Sequence, residues 1–155
     1  MNSWIDTHNM APNVYRKEFP KGTPANYIKR EAALQKVAAK YGLSPKVIGT
    51  DNKTYIEMEH MGEMTVDDEH GQIIDDIPPK ILSAMWSSLY MLYHVCGIEY
   101  LDVWPRNFIE KGGRVWIIDF GDAHELTYKK NEEEDEYLTK ILEAGTITHW
   151  NPDFE

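Results

Sequence analysis

Residues 100–107 read Tyr100-Leu101-Asp102-Val103-Trp104-Pro105-Arg106-Asn107, and twelve residues after Asn107 comes Asp119-Phe120-Gly121. Asp102 falls in a loop behind an apolar helical pattern, and Pro105 keeps that loop out of a helix. Asn107 opens two short apolar runs, Asn107-Phe108-Ile109 and Val115-Trp116-Ile117-Ile118, joined around Lys111-Gly112-Gly113. That is a hairpin pattern. A hairpin brings the end of its second strand back to the start of its first, so Asp119 is expected beside Asn107. The loop mouth then holds two carboxylates and an amide oxygen. Hard oxygen donors of this kind suit Mg²⁺, which needs few protein ligands when phosphates supply the rest. A further carboxylate at the site can orient or deprotonate a hydroxyl. Taken singly, Asp102 and Asn107 also read as ordinary turn residues that bond local backbone.

The surrounding pattern is mixed. Residues 1–13 read as a loop or a weak edge strand. Val14-Tyr15-Arg16-Lys17-Glu18-Phe19 alternates as a strand, ended by Pro20 and Gly22. Thr23-Pro24 opens a helix, with Thr23 as the expected N-cap. Ile28, Ala32, Leu34, Val37, Ala38 and Tyr41 are its expected apolar positions, and Gly42 ends it. Val47-Ile48-Gly49 and Thr54–Glu59 are two further strands around an Asp51-Asn52 turn. Residues 62–77 are acidic and irregular. Pro78-Pro79 then starts the strongest helix, with Ile81, Leu82, Met85, Leu89, Leu92, Tyr93 and Cys96 as its buried stripe and Gly97 as its stop. Residues 98–107 read as a loop. A last helix is expected over about 131–144, acidic at its start (Glu132, Glu133, Glu134 and Asp135) and apolar along Tyr137, Leu138, Ile141 and Leu142. The class is α+β. One domain, 1–155, is expected, strand-rich to about residue 60 and helical from about 61.

With these elements in order, the sequence resembles the protein-kinase-like phosphotransferases, whose template runs Asp-x-x-x-x-Asn, hairpin, Asp-Phe-Gly. The likeness spans about residues 13–125. It implies a protein-kinase-like fold with a reduced strand-rich N-lobe and a truncated helical C-lobe. It implies ATP and Mg²⁺ as cofactors and a hydroxyl acceptor, on a protein Ser/Thr or a small molecule. By resemblance, Asp102 accepts the proton of that hydroxyl, and Asn107 and Asp119 hold Mg²⁺. Phe120 packs under the metal loop and Gly121 permits its turn. Lys17 contacts the α/β-phosphates, Glu31 is its ion-pair partner, and the backbone of Glu59, His60 and Met61 meets the adenine. Read without the resemblance, Lys17 is also a solvated strand lysine. Glu31 is likewise a surface helix charge near Gln35 or Lys36.

The departures from the template matter. Tyr100 and Leu101 stand where the family has His and Arg, and Trp104 stands where protein kinases commonly have a lysine. This looser pattern resembles aminoglycoside- and choline-kinase-type enzymes as much as protein kinases. No Gly-x-Gly-x-x-Gly precedes Lys17, and no Ala-Pro-Glu follows Asp119. A second reading therefore stands beside the enzyme: a kinase-like binding module or decoy with weak or no catalysis, whose reduced surface would meet a partner kinase or a second copy of the chain.

Composition limits the alternatives. The chain has 155 residues, 42% of them hydrophobic and 12% aromatic, which is ample for a packed core and unlike a disordered segment. Its 16 basic and 26 acidic residues give a net charge of −10. A chain of that sign is a poor match to nucleic acid, whose binding rests on phosphate neutralisation. The lone Cys96 excludes an internal disulfide and suits a reducing, cytoplasmic setting. The polar Met1–Met10 segment lacks the pattern of a signal peptide. The uncharged run from Ile81 to Ile98 carries too many Ser, Tyr and His residues for a membrane span, and reads as a helix buried in a core. The acidic run over 67–76 and that over 132–136 read as solvated faces. His60 and His70 show no metal-ligand spacing, and His94 reads as a core or interface residue. Trp86, Trp104, Trp116 and Trp150 read as packing residues, with Trp104 also a candidate substrate platform.

Overall fold

Alternation in the strands around Lys17 and Glu57 sets the first sheet. In this computed structural model, which describes residues 13–62, 64–126 and 136–154, β1 (Val14–Glu18) and β2 (Val47–Thr50) both pair antiparallel with the central β3 (Tyr55–Glu59). The register places Tyr15 opposite Met58 and Lys17 opposite Ile56. Tyr15 and Phe19 thereby share a face with Ile56 and Met58, over which Ile28 and Ala32 of the following helix close a small core. Between Val47 and Gly49 the β2–β3 register shifts by one residue, and Ile48 at that irregularity is exposed. Asp51 builds the intervening turn. Its carboxylate accepts from the backbone N–H groups of Lys53, Thr54 and Tyr55 and from the Thr54 hydroxyl.

The first helix, α1 (Ala25–Lys40), starts one residue later than expected. Pro24 is its cap, and the Thr23 hydroxyl donates to the Pro20 carbonyl instead of capping the helix. Its buried face also differs. Val37 and Tyr41 are exposed, while Glu31 and Gln35 are buried beside Ile28, Ala32, Leu34 and Ala38. Each buried polar group has a specific task. Gln35 donates to the Pro45 carbonyl at 2.9 Å, holding the chain that leaves the helix; Glu31 belongs to the site described below. The end of α1 follows the sequence. Gly42 takes φ 72°, its N–H bonds Ala39, and Leu43 N–H bonds Ala38, which is a Schellman cap with Leu43 buried.

Residues 62–77 are more ordered than composition suggests. Thr65 and Asp68 form a reciprocal capping box at the start of α2 (Val66–His70), and Val66 is fully buried. A 3-10 turn at Ile74–Asp76 leads to α3 (Pro79–His94). Ile81, Leu82, Met85, Leu89 and Leu92 line its buried stripe; Tyr93 and Cys96 are only partly covered. The segment after α3, expected as loop, begins with β4 (Ile98–Tyr100). Then come β5 (Phe108–Lys111) and β6 (Arg114–Ile117), the predicted hairpin, turned by Gly112 and Gly113 at φ 65° and 75°. β7 (Ala123–Glu125) returns to pair with β4, a partnership that no local pattern announces.

The hairpin is tied to α1 across the molecule. Ile117 N–H bonds the Leu43 carbonyl, and Arg114 donates to the Gly42 carbonyl at 2.7 Å. The last helix, α4 (Glu136–Ala144), lays Tyr137, Leu138 and Ile141 on the main core. The expected earlier turns at 131–135 lie outside the described residues, as do residues 1–12. Trp86 of α3 donates its indole N–H to the Ile141 and Leu142 carbonyls at the end of α4. Among the described residues, no helix is long and apolar enough to cross a membrane.

Candidate active site

Asn107 enters the site through the 3-10 turn Pro105–Asn107, where its N–H bonds the Trp104 carbonyl. Its buried side chain donates Nδ2–H to the Asp102 carbonyl at 2.8 Å. That contact directs the amide oxygen, the acceptor a hard cation would use, away from the loop backbone. The hairpin returns as the spacing requires. Ile118 N–H bonds the Asn107 carbonyl at 2.9 Å, so Asp119 emerges next to Asn107.

Asp119 holds φ 67°, a left-handed conformation unusual for a residue other than glycine. Its Oδ1 accepts from Gly121 N–H at 3.0 Å. Tyr100 supports this bend, its hydroxyl lying 2.7 Å from the Ile118 carbonyl and 2.8 Å from that of Asp119. Burial, reinforced by Asp119 and Asp102, holds the Tyr100 phenol well above its usual pKa, so it remains a neutral donor. Tyr100 thus anchors the Asp-Phe-Gly backbone from the position where the family template has histidine. Phe120 is fully buried, edge-on to the Tyr100 ring at 5.6 Å.

Gly121 differs from expectation. Its φ is outside the left-handed region, so conformational freedom is not the reason for glycine. A Cβ there would come within 2.5 Å of the Tyr27 hydroxyl and 3.2 Å of Asp119 Oδ1. The residue is small because α1 packs against it.

Lys17 and Glu31, ambiguous in sequence, meet. Lys17 Nζ donates to Glu31 Oε2 at 2.6 Å and lies 3.3 Å from Asp119 Oδ1. The Glu31 side chain is 2% exposed and that of Lys17 25%. Burial works against the Lys17 charge, but Glu31 and Asp119 outweigh it and hold its pKa above normal. Burial raises the Glu31 pKa, and the attraction of Lys17 offsets this only in part. The ammonium is thus fixed between two carboxylates.

Asp102 sits lower in the loop. Its carboxylate lies 3.3 Å from the Arg106 guanidinium, and burial raises its pKa above the usual value against the opposing pull of its polar neighbours. Tyr15, Lys17, Met58, Glu59, His60, Met61, Arg106, Asn107, Ile118 and Asp119 are among the residues lining one cavity of about 520 Å³, a size ordinary for a small-molecule site. Asp102 is not among its lining residues. Of the three residues expected to meet adenine, Glu59 and His60 have their backbone N–H groups bonded to the Lys46 and Asn13 carbonyls at 2.9 and 2.7 Å. Both amides are therefore occupied, and Met61 follows them on this wall. A second recess of about 400 Å³ shares Lys17 and Asp119 with the first and is lined by Phe19, Pro24, Tyr27 and Asp122 among others.

Several participants carried no signal in sequence. Asn151 is fully buried. Its Nδ2–H donates to the Leu101 carbonyl at 2.7 Å and its N–H reaches the Val103 carbonyl at 3.4 Å, so it holds the loop on both sides of Asp102. Trp150 stacks on Trp104 with ring centres 6.1 Å apart. Away from the cavity wall, His70, which lacks ligand spacing in sequence, meets Glu110 at 3.0 Å and Glu69 at 4.0 Å, tying α2 to the hairpin.

A small three-stranded sheet with one helix, a cavity against its central strand, and the loop of residues 101–107 with its hairpin on the other side of that cavity define a protein-kinase-like fold. The chain is similar to the structure of Rv3197 from Mycobacterium tuberculosis in complex with erythromycin, at 20% identity over 77% of this chain and 35% of that one, TM-score 0.50. It is also similar to a structure of the yeast RNA polymerase II CTD kinase CTDK-1 complex, at 18% identity over 74% of this chain and 40% of that one, TM-score 0.50. The chain thus spans well under half the length of each. No family model and no curated protein sequence matches it.

Proposed function

We propose that this chain is a phosphotransferase that moves the γ-phosphoryl of ATP, in the presence of Mg²⁺, to a hydroxyl of a protein Ser/Thr or a small molecule. The observation that carries the reading is Lys17, held between Glu31 at 2.6 Å and Asp119 at 3.3 Å, on the wall of the cavity that Asn107 also lines. A strand lysine with no ligand to meet gains little from such burial; one that must present a fixed charge to phosphates gains position.

Adenine would lie along Glu59 and Met61, with Ile118 and Met58 as its apolar walls. Lys17 would meet the α/β-phosphates. The donor set fits Mg²⁺: an amide oxygen from Asn107 and the Asp119 carboxylate are hard oxygens, few in number, facing one cavity. Bound there, the ion would supply neutralisation of phosphate charge. Tyr100 and Gly121 keep the Asp119 backbone in its bent form. Asp102, its basicity raised by burial, accepts the acceptor's hydroxyl proton. The acceptor oxygen bonds to the γ-phosphorus as the bond to the β–γ bridging oxygen breaks, leaving ADP.

A thermal-shift titration with MgATP tests this. At a hundred times Kd a native-state ligand stabilises by about 2.7 kcal/mol, or roughly 5–10 °C for a chain of this size. Asp119→Ala should abolish most of the shift. No shift in the parent protein overturns the reading. A shift with no phosphate transfer to peptides or small alcohols makes the chain a nucleotide-binding module instead.

A further inference from the structure

The wall of the main cavity is poor in positive charge for a site that would receive a triphosphate. Among the described residues, its lining carries the carboxylates Glu18, Glu59, Asp67, Asp68 and Asp119 against the permanent cations Lys17 and Arg106. Lys17 is already set between Glu31 and Asp119, so that corner is net negative before any phosphate arrives. Beyond the charge that Mg²⁺ would supply at Asn107 and Asp119, Arg106 is the other cation of this lining placed to balance the phosphates.

Its placement is specific. Arg106 precedes Asn107 in the 3-10 turn, whose φ is pre-set by Pro105. The guanidinium lies 5.0 Å from the centre of the Trp104 ring and 3.3 Å from Asp102 Oδ1. Trp104 is itself fixed by stacking on Trp150, whose indole N–H donates to the Gln72 carbonyl at 2.6 Å. An arginine on an aromatic platform is oriented at low entropic cost, and its planar fork suits phosphoryl oxygens. Its side chain is 45% exposed while that of Asp102 is 14% exposed, and Arg106 lines the cavity while Asp102 does not.

We infer that Arg106 contacts the γ-phosphoryl group and replaces, from two residues further along the loop, the positive charge missing at Trp104; the inference rests on the phosphotransferase reading. In the resting arrangement the guanidinium pairs with Asp102. The arriving γ-phosphoryl competes for it. During transfer the acceptor oxygen–phosphorus bond forms, the bond from phosphorus to the β–γ bridging oxygen breaks with its electrons leaving on ADP, and the proton passes to Asp102. Arg106 makes no bond. Its charge balances the phosphoryl oxygens throughout.

The test is calorimetric titration of MgATP and MgADP into the parent and Arg106→Gln. A charge-assisted contact of this type is worth roughly 10- to 100-fold in affinity. The parent should prefer MgATP, and Arg106→Gln should lose about tenfold or more for MgATP while MgADP affinity stays unchanged. Arg106→Met, which keeps an extended side chain over Trp104 without the charge, should behave alike and decides the matter if the Gln variant does not fold. Where transfer is measurable, kcat should fall while the acceptor KM holds. An unchanged ATP-to-ADP ratio in the folded variants, or no ATP preference in the parent, overturns the role of Arg106 and leaves the phosphotransferase reading intact. A parent that binds neither nucleotide overturns both.

Discussion

The Tyr27 hydroxyl donates to the Gly121 carbonyl at 3.0 Å, joining the first turn of α1 to the Asp-Phe-Gly segment across 94 residues of sequence. Arg30, one turn further along α1, reaches the same carbonyl at 3.4 Å. Since Lys17 also bridges Glu31 of the helix to Asp119, the helix and the Asp-Phe-Gly segment are held as a unit. Four consequences are open to measurement.

Gly121→Ala should destabilise the protein. The new Cβ would sit 2.5 Å from the Tyr27 hydroxyl, so the tyrosine must move and the Gly121 carbonyl loses the closer of its two donors. We expect a cost of about 1–2 kcal/mol, a Tm lower by roughly 2–8 °C. In a Tyr27→Phe background the same change should cost less, because the clashing atom is gone. Equal costs in a double-mutant cycle would show that this contact does not constrain Gly121.

Lys17→Met should cost more than Glu31→Gln. Removing the ammonium leaves the Glu31 carboxylate, 2% exposed, without its counter-charge, a loss of about 3 kcal/mol. Glu31→Gln, by contrast, leaves Lys17 still beside Asp119. The double variant Lys17→Met/Glu31→Gln should recover most of the loss in urea unfolding. A double variant as unstable as Lys17→Met alone would contradict the coupling.

Asn151→Ala should lower stability by about 1–3 kcal/mol, since it strips the buried Leu101 carbonyl of its donor. Asn151→Asp should be worse, because a carboxylate oxygen would replace the donor against a carbonyl. Denaturant midpoints at neutral pH give the order. An aspartate variant as stable as the parent would rule out the bond as a brace for the loop.

Asp51 provides a pH-dependent test away from the site. Hydrogen bonds from Thr54, Lys53 and Tyr55 hold its carboxyl well below the usual carboxylate range. A depressed folded pKa means that the unfolded chain binds the proton more readily. Its contribution is therefore full above the ordinary value of 3.8 and fades as pH falls below it. Asp51→Ala should have a lower Tm than the parent at pH 7, and the difference should narrow progressively below about pH 4. A difference independent of pH would mean that the turn geometry, not the charge, carries the effect.

Much of this protein was legible because its signals are local. Pro78-Pro79 and Gly97 bracket α3, Gly112-Gly113 turns the hairpin, and Gly42 closes α1; each acts through its own backbone torsions. The spacing from Asn107 to Asp119 is likewise a local property of a short hairpin. Other elements were missed because their cause lies elsewhere in the chain. β4 and β7 are three residues each and exist through pairing with one another. Val37 and Tyr41 have the right periodicity for burial, but β2, β3 and β7 pack against the helix and the buried face is the one where Glu31 and Gln35 find charge and hydrogen-bond partners. The capping box of Thr65 and Asp68 was present in sequence and was obscured by the acidic run around it.

By itself the sequence determined the order of the main elements, the hairpin, and the three polar residues Asp102, Asn107 and Asp119 at its mouth. The reason is that turn chemistry and apolar periodicity act over a few residues. Only the tertiary structure decided that Lys17 pairs with Glu31, that Arg106 rests on Trp104 and faces the cavity, that His60's amide is occupied by Asn13, and that Asn151 holds the loop around Asp102. Most of these contacts join groups distant in the chain. Their partners are chosen by which faces pack together, and no local preference encodes that choice.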